Sequence, residues 1–279
     1  MYSRQFILIG LLLLILASVP SLAREGESKL DPSGACDYVI VSPTAFVASY
    51  QPFADWKTAR GVRTRILDLE FIEDRYYKIC PSAIRCFLKD AYQSWGIKYA
   101  LLGADIKDSE GSELIPALMV TTKVREEETM PADLYYASFD GGWNADRDGV
   151  FGEVEDGVNL DPEIYVGRVP ARSPEEVATF VDKTLLYEKN PPKGLSSRAL
   201  WVGSKLDDRT SGRDSCQIII DETSSLSRKV DHRILSSRDG NLNIDILKDK
   251  LESFLPHTVF FAAHGSPTSI ALDGQQFDC

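Results

Sequence analysis

The chain alternates between short β-rich runs and stretches that carry apolar residues at helical spacing. DYVIVS (37–42), VRTRIL (62–67) and KYALLG (98–103) are typical of buried strands. TAFVASYQPFADWKTAR and PSAIRCFLKDAYQSW are typical of helices. Strands that alternate with helices predict a mostly parallel sheet with helices on both faces, so we expect an α/β fold.

An irregular middle, residues 104–161, interrupts this rhythm. It is rich in Asp, Glu and Gly, and only IPALMV and DLYYAS resemble short strands. The alternation resumes at EIYVGR, followed by a helix over SPEEVATFVDKTLLYEK. Ser173, Pro174 and Glu176 form a capping-box start with proline at the first helical position, which predicts where this helix begins.

A second α/β stretch follows the linker NPPKG. RALWVGS, DHRILS and HTVFFAA predict strands, and DSCQIIIDETSSLSRK and NIDILKDKLESF predict the helices between them. We therefore predict two α/β subdomains, residues 37–190 and 195–279.

The amino-terminal segment, residues 1–23, has the pattern of a secretory signal peptide. Arg4 precedes an apolar block from Phe6 to Leu16, and the segment ends in Ser21-Leu22-Ala23. The block is short for a bilayer span, although an uncleaved anchor helix is the alternative. We expect export to the extracellular space or cell envelope, no stable membrane insertion after cleavage, and a polar leader over residues 24–36.

The net charge of the chain is −11, from 31 basic and 42 acidic residues. Nucleic-acid binding needs a clustered basic surface, and the sequence has none, so a nucleic-acid partner is not expected. The excess of acid favours cationic ligands, either metal ions or substrates that carry Arg and Lys. No organic cofactor is expected.

Export permits disulfides, and the chain has five cysteines: Cys36, Cys80, Cys86, Cys216 and Cys279. An odd number leaves at least one thiol unpaired within the chain. Cys80 and Cys86 flank PSAIR, where a local bridge is one alternative and buried free thiols are the other.

His264 is the leading candidate for chemistry. It directly follows the predicted strand HTVFFAA, and functional groups in open α/β sheets collect at the carboxyl ends of strands. Gly265 permits a sharp turn and offers an amide to a substrate carbonyl, as an oxyanion hole requires. The alternative is a structural histidine with Gly265 serving only as a turn.

The sequence resembles the gingipain family of secreted cysteine peptidases over nearly the whole chain after residue 36. The segments that carry the resemblance appear in the family's order: DYVIVSP, FADWKTARGVRTRIL, FLKDAYQSWGIKYALLGAD, PADLYYASFDGGWNADRDGVFGE, IYVGRVPARSPEEVATFVDKTLLYEK and HTVFFAAHGS. The resemblance implies a caspase-like three-layer α/β sandwich and cleavage of protein or peptide substrates.

The family also implies a Cys-His dyad, in which His264 matches the histidine and Gly265 the glycine of the oxyanion hole. Its nucleophilic cysteine closes a further apolar strand about thirty residues after the histidine. Cys279 comes fifteen residues after His264, and SPTSIALDGQQFD contains no such strand. We expect that the sequence ends before the nucleophile, and keep Cys279 as a second candidate.

The segment NADRDGVFGEVE has the ligand spacing of an EF-hand loop. Asn144, Asp146 and Asp148 alternate, Val150 would offer its backbone carbonyl, and Glu155 falls at the twelfth position. We expect a structural Ca²⁺ site, with Asp140 or Glu153 as alternative ligands. A solvated acidic turn is the competing interpretation.

Two further expectations concern specificity and class. Asp133 matches a position where gingipains that prefer arginine carry an acid in the substrate pocket, so a substrate-binding role is expected, with a metal ligand or a turn cap as alternatives. A non-catalytic, calcium-binding extracellular adhesion domain is the alternative to a peptidase.

Overall fold

The computed structural model describes residues 30–123, 127–191, 198–224, 230–266 and 268–278. The predicted signal peptide, most of the polar leader and Cys279 lie outside the described residues. The chain divides into two compact units, Met1–Leu185 and Leu186–Cys279, and each is described by itself.

The first unit is built around a four-stranded parallel sheet with the strand order β2-β1-β3-β6. An antiparallel hairpin, β4–β5, precedes β6 along the chain. The elements are β1 (Tyr38–Ser42), α1 (Val47–Ala59), β2 (Thr64–Asp68), α2 (Leu69–Tyr76), α3 (Pro81–Trp95), β3 (Tyr99–Leu102), β4 (Met119–Lys123), β5 (Glu127–Pro131), β6 (Tyr165–Arg168) and α4 (Pro174–Lys189).

The second unit is built around a three-stranded parallel sheet with the order β8-β7-β9, followed by an antiparallel hairpin. Its elements are β7 (Arg198–Gly203), α5 (Gly212–Thr223), β8 (Asp231–Ser236), α6 (Ile244–Ser253), β9 (Thr258–Ala262), β10 (Ser269–Leu272) and β11 (Gln275–Asp278).

The central strand β7 shows why this unit has three layers. Successive side chains of a strand point to opposite faces. Leu200 and Val202 pack on the face that carries Leu247 of α6, whereas Ala199 and Trp201 pack on the face that carries Cys216 of α5. The prediction of parallel strands with helices on both faces is confirmed.

Local signals place the helix ends well. Helix α3 begins at Pro81, where proline loses no helical hydrogen bond, and ends at Gly96 with a φ of 74°. Helix α4 begins after Ser173, whose Oγ accepts from the Glu176 amide at 3.3 Å. The Glu176 carboxylate accepts a hydrogen bond from the Arg172 amide at 2.7 Å. In the usual capping box it would accept from the amide of the capping residue itself, Ser173.

One expectation for the irregular middle is wrong. DLYYAS is not a strand: Asp133–Tyr136 forms a 3-10 turn in which Tyr135 and Tyr136 are both buried, whereas a one-sided strand would expose one of them. Of the two alternatives for Cys80 and Cys86, the structure has the free thiols, although neither of them is buried. Six residues of helix span roughly 9 Å, beyond the ~7 Å that a disulfide tolerates between Cα atoms.

Candidate functional site

His264 lies at the topological switch point of the second sheet. Strand β8 lies on one side of β7 and strand β9 lies on the other. The connections that leave β7 and β9 therefore run in different directions, and such a point in a parallel sheet forms a crevice. His264 follows β9 at the carboxyl end of that sheet and is exposed. Its Nε2 hydrogen-bonds the Leu206 carbonyl in the loop after β7.

Gly265 has a free amide beside that imidazole. Gly265 and Ile270 form an isolated antiparallel bridge, whose hydrogen bonds run from Ala271 N–H to His264 O and from Ser266 N–H to Ser269 O, both 2.8 Å. In this pairing the amide of Gly265 itself stays out of the bridge. It makes no hydrogen bond within the described part of the chain, so it is available as an oxyanion donor.

The conformational reason predicted for Gly265 does not hold. Its φ lies outside the positive region, and a Cβ built on it would lie 3.6 Å from Ser269 O, an ordinary contact. The local turns that need glycine lie elsewhere. Asp273 and Gly274 both have positive φ, 49° and 82°, and close the β10–β11 hairpin.

A cleft of about 400 Å³ opens in the second unit, at the carboxyl ends of β7 and β8. Sequence reasoning missed it, although the polar run DDRTSG between a strand and a helix was a signal for a functional loop. Carboxylates and cations alternate around it, with Lys205 bonded to Asp208 at 2.8 Å and Arg238 paired with Asp214. Its lining residues include Lys205, Asp207, Asp208, Arg209, Asp214, Ser237, Arg238 and Asp273.

The described cysteines differ in how readily their thiols would ionise. Burial raises the pKa of the Cys36 thiol to about 11, and burial also raises the pKa of Cys216. Burial opposes ionisation of Cys80 too, but hydrogen bonds from Ser82 and Ala83 lower its pKa overall. Cys279 is outside the described residues.

The acidic loop of the first unit gathers three carboxylates. Oxygen atoms of Asp146, Asp148 and Glu153 all lie within 4.8 Å of one another. Glu155 is in a 3-10 turn, Val154–Asp156, and is not part of this group; Asp140 is not part of it either. The Glu153 pKa is raised by burial and by the neighbouring charges of Asp148 and Asp146.

Two other residues shape this loop. The Asn144 Oδ1 atom is buried and finds no donor among the described residues. Asp156, which the sequence did not single out, is buried and accepts from the amides of Ala145 and Gly152 at 2.5 and 2.8 Å. The Val150 amide donates to Asp148 at 2.7 Å. The loop thus presents oxygen atoms that suit a hard cation.

Asp133 is engaged by an arginine of its own chain. Arg168 binds both carboxylate oxygens at 2.9 Å and also donates to the Ala104 and Ile115 carbonyls. Asp133 also lines a cavity of about 330 Å³ with Leu134, Ile164 and Tyr165. The substrate-binding role stays a prediction, and a cationic substrate would compete there with Arg168.

The chain is an α/β protein with parallel sheets, and a His-Gly pair follows the carboxyl end of β9. The sequence model of peptidase family C25 matches residues 31–277. The chain therefore belongs to peptidase family C25. Its described residues contain no helix that combines the length and the apolar character of a membrane span.

The chain is similar to proteins of Porphyromonas gingivalis. It is 25% identical to gingipain R2 over 170 residues, which cover 60% of this chain and 18% of that protein. It is also 25% identical to Lys-gingipain over 171 residues, covering 59% and 8% of the two chains. The chain thus spans less than a fifth of either relative.

One solved protease structure shares the fold. It aligns with a TM-score of 0.56 at 18% identity and covers 90% of this chain and 51% of that one. This likeness supports the caspase-like fold of the family.

Proposed function

We propose that this chain supplies the general acid–base histidine of a secreted cysteine endopeptidase that cleaves protein substrates. The position of His264 at the switch point, next to the free Gly265 amide, carries the proposal. In such a reaction a thiolate attacks the peptide carbonyl and the imidazolium protonates the leaving amine. The Gly265 amide would bind the oxyanion that forms between these steps.

The nucleophile we propose is a cysteine encoded after residue 279. Cys36 and Cys216 are buried with raised pKa values, which disfavours the thiolate. Strands β10 and β11 pair with each other in a hairpin, so Cys279 follows a strand that is not part of the sheet of β9. A further strand that ends in cysteine would pair with β9 and bring a thiol to the edge that carries His264.

The substrate would enter the cleft beside the loop after β7. Asp207, Asp208, Asp214 and Asp273 contribute four carboxylates against three cations, which favours substrates with a basic side chain before the cleaved bond. The pattern of residues 1–23 supports export of the protein.

The test uses the full-length gene product and peptides that carry Arg, Lys or a neutral residue before the cut. We expect His264→Ala to lower kcat/KM by about 10³-fold or more, because the general acid and base is lost. His257→Ala is the matched control, since His257 stacks on Tyr187 at the start of β9 and should leave activity intact. Cys279→Ala should also stay active; loss of activity in that variant would refute the proposed nucleophile.

We further propose that the loop over residues 144–155 binds Ca²⁺ as a structural ion. Three clustered carboxylates repel one another, and a divalent cation would offset that repulsion. Burial first, and then the charges of Asp148 and Asp146, raise the pKa of Glu153. Asn144 Oδ1, an acceptor without a donor in the described residues, is a further oxygen for it. Glu153 replaces Glu155 as the preferred acidic ligand, with Asp146 and Asp148 retained and the Val150 carbonyl as predicted.

Two glutamate variants test this ligand set by calorimetric titration with Ca²⁺. Glu153→Gln should weaken binding by at least about tenfold, the factor for 1.4 kcal/mol. Glu155→Gln is the matched control, two residues away, and should bind as the wild type does. Equal weakening in both variants, or strong weakening in Glu155→Gln alone, would contradict this ligand set. Glu155, the ligand predicted by the EF-hand spacing, would then bind the ion.

A further inference from the structure

The His264 ring is held by a backbone carbonyl rather than by a side chain. Its Nε2 hydrogen-bonds the Leu206 carbonyl. A carbonyl oxygen only accepts hydrogen bonds, so Nε2 carries the proton and donates. In the neutral ring Nδ1 is then the unprotonated nitrogen, which can receive a proton.

A compact turn after β7 sets the position of that carbonyl. The amides of Leu206 and Asp207 both donate to Thr210 O, at 3.1 and 3.3 Å. Lys205 and Ser211 form an antiparallel bridge at the base of the turn. The start of the loop is also tied to β9, since the Ser204 amide donates to Ala262 O at 2.9 Å.

The Asp207 side chain closes this turn from within. Its Oδ1 accepts from the amides of Arg209 and Thr210, both at 2.7 Å, and its Oδ2 accepts from Thr210 Oγ1 at 3.0 Å. Three hydrogen bonds from one carboxylate fix the backbone directly next to the Leu206 carbonyl. Without them the carbonyl would be free to rotate away from the imidazole.

We propose that Asp207 is a positioning residue for His264: it closes the turn at residues 206–210, so that the Leu206 carbonyl holds Nε2–H and leaves Nδ1 for proton transfer. The inference rests on the proposed role of His264. The geometry itself can be measured without any peptidase activity, so its failure and that of the proposed function are distinguishable.

The proposal separates the hydrogen bonds of Asp207 from its charge. Both amide bonds go to the same oxygen, Oδ1, and an asparagine has that oxygen too. Asp207→Asn should therefore preserve the turn, whereas Asp207→Ala removes all three bonds. A role based on charge alone would make the two variants alike.

The experiment measures solvent exchange of the His264 Nε2 proton by ¹H–¹⁵N NMR on the 279-residue chain, with the signal assigned by its disappearance in His264→Gln. We expect Asp207→Ala to speed exchange by about fivefold or more, as for the loss of one net hydrogen bond. Asp207→Asn should exchange as the wild type does. Asp208→Ala is the control, because this neighbouring carboxylate is 95% exposed and pairs with Lys205.

Three results would overturn the proposal: unchanged exchange in Asp207→Ala, equal acceleration in Asp207→Asn and Asp207→Ala, or equal acceleration in Asp208→Ala. The ring signals of His232 and His257 report whether each variant is folded. If Asp207→Ala does not fold, Thr210→Val removes only the hydroxyl donor to Oδ2. Its His264 proton should exchange measurably faster, and an unchanged rate would equally contradict the inference.

Discussion

The carboxyl edges of the two parallel sheets carry charged residues of the same kinds but use them in opposite ways. In the first unit Arg168 is mostly buried and is satisfied by Asp133 and two carbonyls, whereas the Arg172–Asp105 pair, at 2.8 Å, has an exposed arginine. In the second unit His264 is exposed, and Asp214 and Arg238, which line a cleft of about 400 Å³, are each more than half exposed. The first edge thus carries a mostly buried and fully paired arginine, whereas the second carries an exposed ion pair along a cleft. Two edges of the same α/β class therefore present different charged groups.

The largest expected effect on stability is that of replacing Arg168 in the first unit. Arg168→Met leaves the Asp133 carboxylate and the Ala104 and Ile115 carbonyls without their donor. The pair is partly buried, with 32% of the Asp133 side chain exposed, and each polar group left without its donor typically costs about 1–3 kcal/mol. Since three groups lose their donor, we expect the free energy of unfolding of the first unit to fall by about 3 kcal/mol or more. Urea unfolding measures it. Arg63→Met is the control, because Arg63 pairs with Asp37 on the surface; a comparable loss there would contradict the contrast.

The second prediction concerns the packing of helix α5 against the end of strand β9 in the second unit. A Cβ at Gly212 would lie 2.2 Å from Ala262 O, at the end of β9. Helix α5 would have to move away from the sheet, and such overpacking costs about 1–3 kcal/mol or more. We expect Gly212→Ala to lower the melting temperature of the second unit. Gly265→Ala, whose Cβ meets only Ser269 O at 3.6 Å, should leave it unchanged, so a drop in both variants would count against this account.

The third prediction concerns how Asp105, in the first unit, makes the stability depend on pH. Burial opposes ionisation of Asp105, but the hydrogen bonds from Arg172 and the Ile106 amide lower its pKa overall. A carboxylate with a lowered folded-state pKa stabilises the protein above the unfolded pKa, and this contribution is lost as pH falls through the folded value. We expect the acid destabilisation between about pH 5 and 2 to be shallower in Asp105→Asn, measured by urea unfolding across that range. An unchanged slope would show that the pair does not couple to folding.

The smallest effect on stability is expected for the exposed ion pair of the second unit. Arg238 and Asp214 form an exposed pair at the cleft, and exposed pairs contribute about 1 kcal/mol at most. Arg238→Ala should therefore barely change stability. Thermal unfolding in low salt checks this, and a loss as large as that of Arg168→Met would erase the distinction between the two edges.

The features that could be predicted from the sequence are the local ones. The alternation of strands and helices, the start of α3 at Pro81 and the capped start of α4 depend on residues within a few positions of each other. His264 at the end of β9 follows from the apolar run before it. The strand prediction for DLYYAS was wrong because its consecutive tyrosines are both buried in a 3-10 turn. β propensity does not describe that environment.

The sequence by itself determined the α/β class, the positions of most elements and the candidates His264 and the acidic loop, because side-chain periodicity and capping act over one or two turns of chain. Only the tertiary structure decided which groups meet: Arg168 with Asp133, Glu153 with Asp146 and Asp148, and His264 with the Leu206 carbonyl 58 residues away. These contacts depend on strand order and loop direction, since parallel strands bring distant segments of the chain to one edge of the sheet.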